Sequence, residues 1–310
     1  MKRPQDEGGD DMASEQELAY LATVKDEDVY AYRMRKELQS RAHCNELRAT
    51  DTSVKRSVRT EVGWVDLYFY YPVDRMSDVV VFDFHGGGFC LGYWELDIPY
   101  CRLVADLSGA VVVNVDYPCS PEFKYPLTYT CSYEAMRWCH EHAAELGIEG
   151  ARFMTMGSSA GGNIACAMVQ LAAKRDDFPV VGFAMNYPVL RMSFSREAPD
   201  PSRAIANERS LQYIAWEYED LAQMTEPLAS PTEAGPEMRW PDMMLNVAGF
   251  DSLKGEADDF RDKLVAQGVH VDYKNYPHAE HGFTHEDLRE YRADDAADAW
   301  ARIARFIRNH

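Results

Sequence analysis

The stretch Gly157-Ser158-Ser159-Ala160-Gly161-Gly162 holds the residue types that a nucleophilic hydrolase uses, at the spacing it uses them. A serine hydroxyl is a weak nucleophile until a sharp turn exposes it and a base takes its proton. In G-x-S-x-G the glycines leave room for that turn, provided a strand precedes it and a helix follows. The apolar run FMTMG precedes, and residues 160–174 carry a helical pattern. Ser159, the central residue, then stands at the positive end of a helix, which favours a developing anion. A second signal, His85-Gly86-Gly87-Gly88-Phe89, ends the apolar run VVVFDF. Three successive glycines let backbone N–H groups approach a substrate closely. Acyl transfer needs such donors for the oxyanion of its tetrahedral intermediate. A phosphate loop would use glycines too, but neither G-x-G-x-x-G nor a P-loop Lys and Ser/Thr is present.

The nucleophile needs a base and a group to orient it, expected in the chain order Ser, Asp, His. Asp251 follows MMLNVAGF at once, which puts its carboxylate at the C-terminal end of a strand. Catalytic groups collect there in open α/β sheets. Asp258 and Asp259 fall inside the next helix, and Asp242 lies at the wrong end of the strand. Later histidines stand at positions 270, 278, 281, 285 and 310. His270 begins a strand and His310 is terminal. His278 and His281 share the loop after the last strand, and position alone does not choose between them.

The elements that must hold these residues are legible as a rhythm. Ser53 to Pro72 alternates like a hairpin turning near Val62-Gly63. Strands are expected at 79–84, 110–117, 153–157, 180–189, 243–250 and 269–276, with helices near 98–107, 128–146, 160–174, 254–267 and 287–308. Continuous apolar strands separated by amphipathic helices predict an α/β fold with a mostly parallel sheet covered on both faces. Ahead of it, Ser14 to about Arg48 reads as helical, with Leu18, Leu21 and Ala22 on one apolar face and Tyr30, Met34, Leu38 and Ala42 on another. Residues 1–12 read as a disordered acidic tail, 13–50 as N-terminal cap helices and 51–310 as the catalytic domain. Residues 191–240 interrupt the rhythm as an insertion, too long for a simple crossover, and insertions of this kind often cover a site.

Composition narrows the function. The chain has 310 residues, with 51 acidic against 32 basic side chains and a net charge of −19. Such a surface repels phosphate backbones and anionic lipid, so nucleic-acid binding is not expected. No apolar leader and no stretch of the ~20 apolar residues that a membrane span needs is present, so a cytoplasmic protein without membrane insertion is expected. Seven cysteines, an odd number without a C-x-x-C pair, read as reduced thiols rather than disulfides or a zinc site.

Five segments together resemble the hormone-sensitive-lipase-like esterases of the α/β-hydrolase fold. HGGGF at 85–89 is similar to that family's oxyanion loop, and DYPCSPEFKYP at 116–126 to its D-Y-R-L-A-P-E segment. GSSAGGN at 157–163 resembles the G-D-S-A-G-G-N elbow, AGFDSL at 248–253 the acid motif, and HGF at 281–283 the histidine motif. The resemblance runs from about Val54 to the C-terminus. It implies an α/β-hydrolase fold with a helical cap, and a nucleophile Ser159, base His281 and orienting acid Asp251. The oxyanion donors it implies are the N–H groups of Gly86, Gly87 and Ala160, with His85 bracing their loop. It thereby selects His281 over His278.

The activity implied is hydrolysis of short- to medium-chain acyl esters through an acyl-enzyme, with no metal or organic cofactor, a small-molecule ester as partner and a homodimer by family likeness. Trp94, Tyr213 and Trp216, with Tyr93 and Tyr218, are the candidate pocket walls. An amidase or deacetylase with the same triad is the nearer alternative; a non-catalytic receptor on this fold is the remote one. Two departures stand out: Ser158 replaces the family's Asp and Pro118 its Arg, which suggests that these two positions support each other in the family and have changed together here.

Overall fold

The computed structural model describes Ala19 and residues 22–192, 216–218 and 220–310. Its strands are β1 (Val54–Arg59), β2 (Trp64–Tyr70), β3 (Val79–Phe84), β4 (Val111–Asp116), β5 (Arg152–Ser158), β6 (Val180–Asn186), β7 (Asp242–Ala248) and β8 (Val271–Tyr276). They form one eight-stranded sheet in the order β1-β2-β4-β3-β5-β6-β7-β8. The first two make an antiparallel hairpin and β2 runs antiparallel to β4. All later pairings are parallel. The helices are α1 (Asp26–Thr50), α2 (Ile98–Ser108), α3 (Leu127–Glu141), α4 (Ala160–Arg175), α5 (Lys254–Ala266) and α6 (Ala293–Arg308).

All six residues of β3 are buried, as a parallel strand covered on both faces must be. Val80, Phe82 and Phe84 turn to one side, joined by Val111, Val113 and Val115, where Tyr129 and Met136 of α3 and Ile164 and Met168 of α4 cover them. Val79, Val81 and Val112 turn to the other, under Val104 of α2 and Trp300, Ile303 and Phe306 of α6. After β3 the chain crosses to β4 on one side and returns to β5 on the other. The loops leaving β3 and β5 therefore face each other across a crevice, the place where ligands bind in open α/β sheets.

Three elements differ from the sequence expectation. The stripe Tyr30, Met34 and Leu38 on α1 is exposed, and Val29, Tyr32 and Cys44 are buried instead. The helical period is as expected but the face is not. The inner face mixes those residues with Arg33, Lys36 and Ser40, and Arg33 binds through its polar head to loops of the sheet domain. The last helix begins at Ala293 rather than near 287 because residues 282–291 close successive three-residue turns: His285 N–H to Gly282 O (3.2 Å), Leu288 N–H to His285 O (3.1 Å) and Tyr291 N–H to Leu288 O (3.1 Å). The helix expected near 128–146 ends at Glu141. The acidic tail, the helical start at Ser14, Leu18, Leu21 and most of the helical run in the insertion lie outside the described residues. What is described of the insertion holds two short 3-10 turns, Leu221–Thr225 and Pro231–Glu233.

Candidate active site

Ser159 sits between β5 and α4 with φ 56° and ψ −120°, a conformation that L residues rarely adopt and that costs of order 1–3 kcal/mol. The glycines around it explain how the turn survives. A Cβ on Gly161 would lie 1.8 Å from the Phe84 carbonyl oxygen, and one on Gly157 would lie 2.4 Å from the Gly161 backbone. The start of α4 is thus pressed directly onto the end of β3. Asn186 and Val189 bracket the serine from the next strand: Ser159 N–H donates to Asn186 O (3.0 Å) and Val189 N–H to Ser159 O (3.1 Å).

The loop after β8 brings His281 to this turn. Its Nε2 lies 2.8 Å from Ser159 Oγ, and its Nδ1 lies 2.7 Å from Asp251 Oδ2. Asp251 is 2% exposed, and its other carboxylate oxygen accepts the Leu253 N–H at 3.0 Å. A buried carboxylate on Nδ1–H leaves Nε2 as the proton acceptor facing the hydroxyl. The other candidate residues lie elsewhere. His278 is exposed, its ring 6.3 Å from Phe250. Asp258 pairs with Lys254 and Arg261 on α5, and Asp242 lies 3.4 Å from His310.

Gly86 adjoins Ser159, since a Cβ there would lie 3.7 Å from Ser159 Cβ. Gly87 and Gly88 have φ of +125° and +60°, which glycine alone adopts without cost. The N–H groups of Gly86, Gly87 and Ala160 donate to no partner among the described residues. His85 is buried and its ring stacks on Tyr117 at 4.1 Å. Its Nδ1–H donates to Gly86 O at 2.7 Å, while Tyr117 O–H donates to His85 O at 2.7 Å. Burial pushes its pKa below the ordinary histidine value, so it braces the loop as a neutral ring.

A cavity of about 670 Å³ opens onto Ser159, His281, Gly86 and Gly87, within the range of small-molecule sites. Tyr32 and Lys36 of α1 line it, as do Phe250, Leu253 and Leu288. Of the aromatic residues singled out in the sequence, the two tryptophans lie off this cavity. Trp94 stacks on Tyr68 at 3.7 Å and does not line the cavity. Trp216 packs at 5.5 Å behind Tyr32, and its Nε1–H donates to Lys25 O at 3.2 Å. Tyr213 lies outside the described residues, and Tyr93 does reach the cavity.

Sequence reasoning passed over two features. Arg33 of α1 ties that helix to the loop after the glycines. Its Nε–H donates to Cys90 O at 2.5 Å, another N–H to Ser120 O, and a third group pairs with the Glu122 carboxylate at 2.6 Å. A second histidine–carboxylate pair, His285 Nε2 to Asp97 Oδ1 at 2.6 Å, is buried at the cavity wall. The spacing of His285 from His281 was the available signal, but nothing in sequence names its partner. Ser158 and Pro118 are carried by strands that are not neighbours. They leave β5 and β4 with β3 between them, and Ser158 accepts from Asn186 Nδ2 at 3.5 Å. Among the described residues no three His, Cys, Asp or Glu side chains converge as a metal site. No described helix is long and apolar enough to cross a membrane.

Comparison with known proteins gives a consistent result. A family model described as the alpha/beta hydrolase fold matches residues 81–285. The carboxylesterase NlhH of Mycobacterium tuberculosis is 32% identical over 226 residues, 69% of this chain and 69% of that protein. The esterase LipI of the same organism is 30% identical over 246 residues, covering 77% and 75%. Among solved structures, the thermostable carboxylesterase EstE1 from a metagenomic library is 26% identical, with a TM-score of 0.81 over 91% of this chain and 97% of that one.

Proposed function

The chain belongs to the α/β-hydrolase fold family, in its hormone-sensitive-lipase-like branch, and from that membership we propose that it is a serine carboxylesterase of short- to medium-chain acyl esters. One observation carries the reading: the continuous chain Asp251–His281–Ser159, at 2.7 and 2.8 Å, opening into a cavity beside free backbone donors.

Ser159 Oγ attacks the ester carbonyl carbon while His281 Nε2 takes its proton. Asp251 holds the imidazole in the required tautomer and stabilises the imidazolium. The carbonyl oxygen becomes an oxyanion and receives the N–H groups of Gly86, Gly87 and Ala160, each contributing about 3–4 kcal/mol. As the C–O bond to the alcohol breaks, His281 returns the proton to the departing oxygen. Water then repeats the cycle on the acyl-enzyme and releases the acid. These residues complete the two steps among themselves. The described part of 191–240, with α1, forms the cap in this reading: Tyr32 and Lys36 supply part of the mouth. A cytoplasmic location fits seven free cysteines, six of them buried.

The test is hydrolysis of p-nitrophenyl esters from acetyl to dodecanoyl by the wild type and by Ser159→Ala. Turnover of the shorter esters, lost in the variant by orders of magnitude, is the expected result. A folded wild type inert toward the whole series would contradict it and turn attention to amides.

A further inference from the structure

Tyr187 stands beside both Ser159 and His281. It follows β6 with φ 37°, unusual for a bulky side chain. Asn186, just before it, and Val189, two residues after it, hold the backbone of Ser159. Its ring meets the His281 ring edge-on, with centroids 4.9 Å apart. The ring therefore limits how far the imidazole can swing from Ser159.

What holds the ring is at its hydroxyl. Tyr187 O–H lies 2.9 Å from His285 Nδ1 and in close contact with Thr284 Oγ1. Thr284 Oγ1 is in turn 3.0 Å from His285 Nδ1. Because His285 Nε2–H donates to Asp97 Oδ1 at 2.6 Å, Nδ1 is left as an acceptor for the tyrosine hydroxyl. The logic is that of the catalytic chain, carboxylate to imidazole to hydroxyl, built a second time. Every member is buried. Asp97 ends the 3-10 turn Trp94–Asp97 that follows the glycine loop. His285 and Thr284 lie on the loop that carries His281. Tyr187 lies at the nucleophile turn, in reach of Ser158. One network thus joins the three segments that supply oxyanion donors, base and nucleophile.

We propose that Tyr187 is a positioning residue for His281, anchored by the Asp97–His285 pair, and that this second pair fixes the three catalytic segments relative to one another. The inference rests on the ester-hydrolase reading above. It also gives Ser158 a place. A neutral hydroxyl fits beside a network that already holds the Asp97 carboxylate, with Asp83 close behind, its carboxyl held well above the ordinary range by burial and by Asp97.

The test uses the full chain with p-nitrophenyl acetate, and counts active sites by the p-nitrophenol released from a p-nitrophenyl phosphonate. Tyr187→Phe keeps the ring and removes the anchor. It should lower kcat per titrated site by ~10- to 100-fold, with KM held within about two-fold. Asp97→Asn should act in the same direction. His285→Gln still donates to Asp97 and accepts from Tyr187, so it should retain more of kcat than His285→Leu. A merely structural role would reduce the number of titrated sites and the melting temperature while leaving kcat per site intact. That outcome in Tyr187→Phe and His285→Leu overturns the inference. If Asp97→Asn fails to fold, the two His285 variants decide at the other end of the pair. A wild type that neither hydrolyses esters nor reacts with the phosphonate overturns the ester-hydrolase reading, and this inference with it. An active wild type beside unaffected variants overturns this inference alone.

Discussion

Replacing Arg33 by alanine should loosen the oxyanion loop from a distance. The loop is held at two successive carbonyls. Ser120 N–H donates to Phe89 O at 2.9 Å, and Arg33 Nε–H donates to Cys90 O at 2.5 Å. The same guanidinium reaches Ser120 O and the Glu122 carboxylate. Its side chain is 17% exposed, against 42% for that of Glu122. The pair with Glu122 is therefore worth less than about 1 kcal/mol. The two carbonyl bonds involve a charged donor in a largely buried place and are worth about 1.5–3 kcal/mol each. Water entering the gap recovers part of that, so Arg33→Ala should cost about 2–4 kcal/mol. For a chain of this size that is a fall of roughly 3–6 °C in melting temperature. With one loop restraint gone, kcat on p-nitrophenyl acetate should fall about ten-fold. Arg33→Lys keeps the charge but not the planar fork, and should recover less than half of either loss. Scanning calorimetry beside steady-state kinetics reads both. An Arg33→Ala protein that melts within about 2 °C of wild type at unchanged kcat would refute the reasoning.

Three further outcomes follow from the geometry. Gly161→Ala sets a methyl group against the Phe84 and His85 carbonyl oxygens, 1.8 and 2.5 Å away; neither is a flexible side chain, so the variant should lose most of its phosphonate-titratable serine, and full titration would contradict that. Asp251→Asn keeps an oxygen for the Leu253 N–H but favours the wrong imidazole tautomer, so kcat should drop by about 10³–10⁴ with the fold intact by circular dichroism. Burial pushes Asp116 up to about 7, against about 3.9 in an unfolded chain. The unfolded state loses this proton first as pH rises, so the wild type forfeits stability between about pH 4 and 7, by up to ~4 kcal/mol. Asp116→Asn should accordingly melt above wild type at pH 8, with the gap closing toward pH 4; a gap independent of pH would count against a half-buried, reluctant carboxyl.

The parallel sheet was legible in the sequence because its inner strands, β3 and β4 among them, are buried on both faces and read as apolar runs. Ser159 and Asp251 were legible for the same reason: each directly follows such a run. His281 was not separable from His278 by position, because both occupy one loop and only the fold turns one inward. The α1 side was harder. An apolar stripe predicts which face of a helix is buried only when apolar contact does the burying, and on α1 Arg33 and Lys36 share the inner face. Trp94 and Trp216 are large and enclosed, but what encloses them is Tyr68 and Tyr32 rather than a ligand cavity. The Asp97–His285 pair joins residues 188 positions apart, and no local pattern announces a contact of that range.

The central claim is that Ser159, activated by His281, is the nucleophile. Its most direct test is mass spectrometry of the protein after reaction with a p-nitrophenyl phosphonate, followed by mapping of the modified peptide. The account predicts one adduct per chain, on Ser159, formed with one equivalent of p-nitrophenol and absent from His281→Ala under the same conditions. An adduct on Ser158 or elsewhere, or labelling of Ser159 that proceeds equally well without His281, would contradict it.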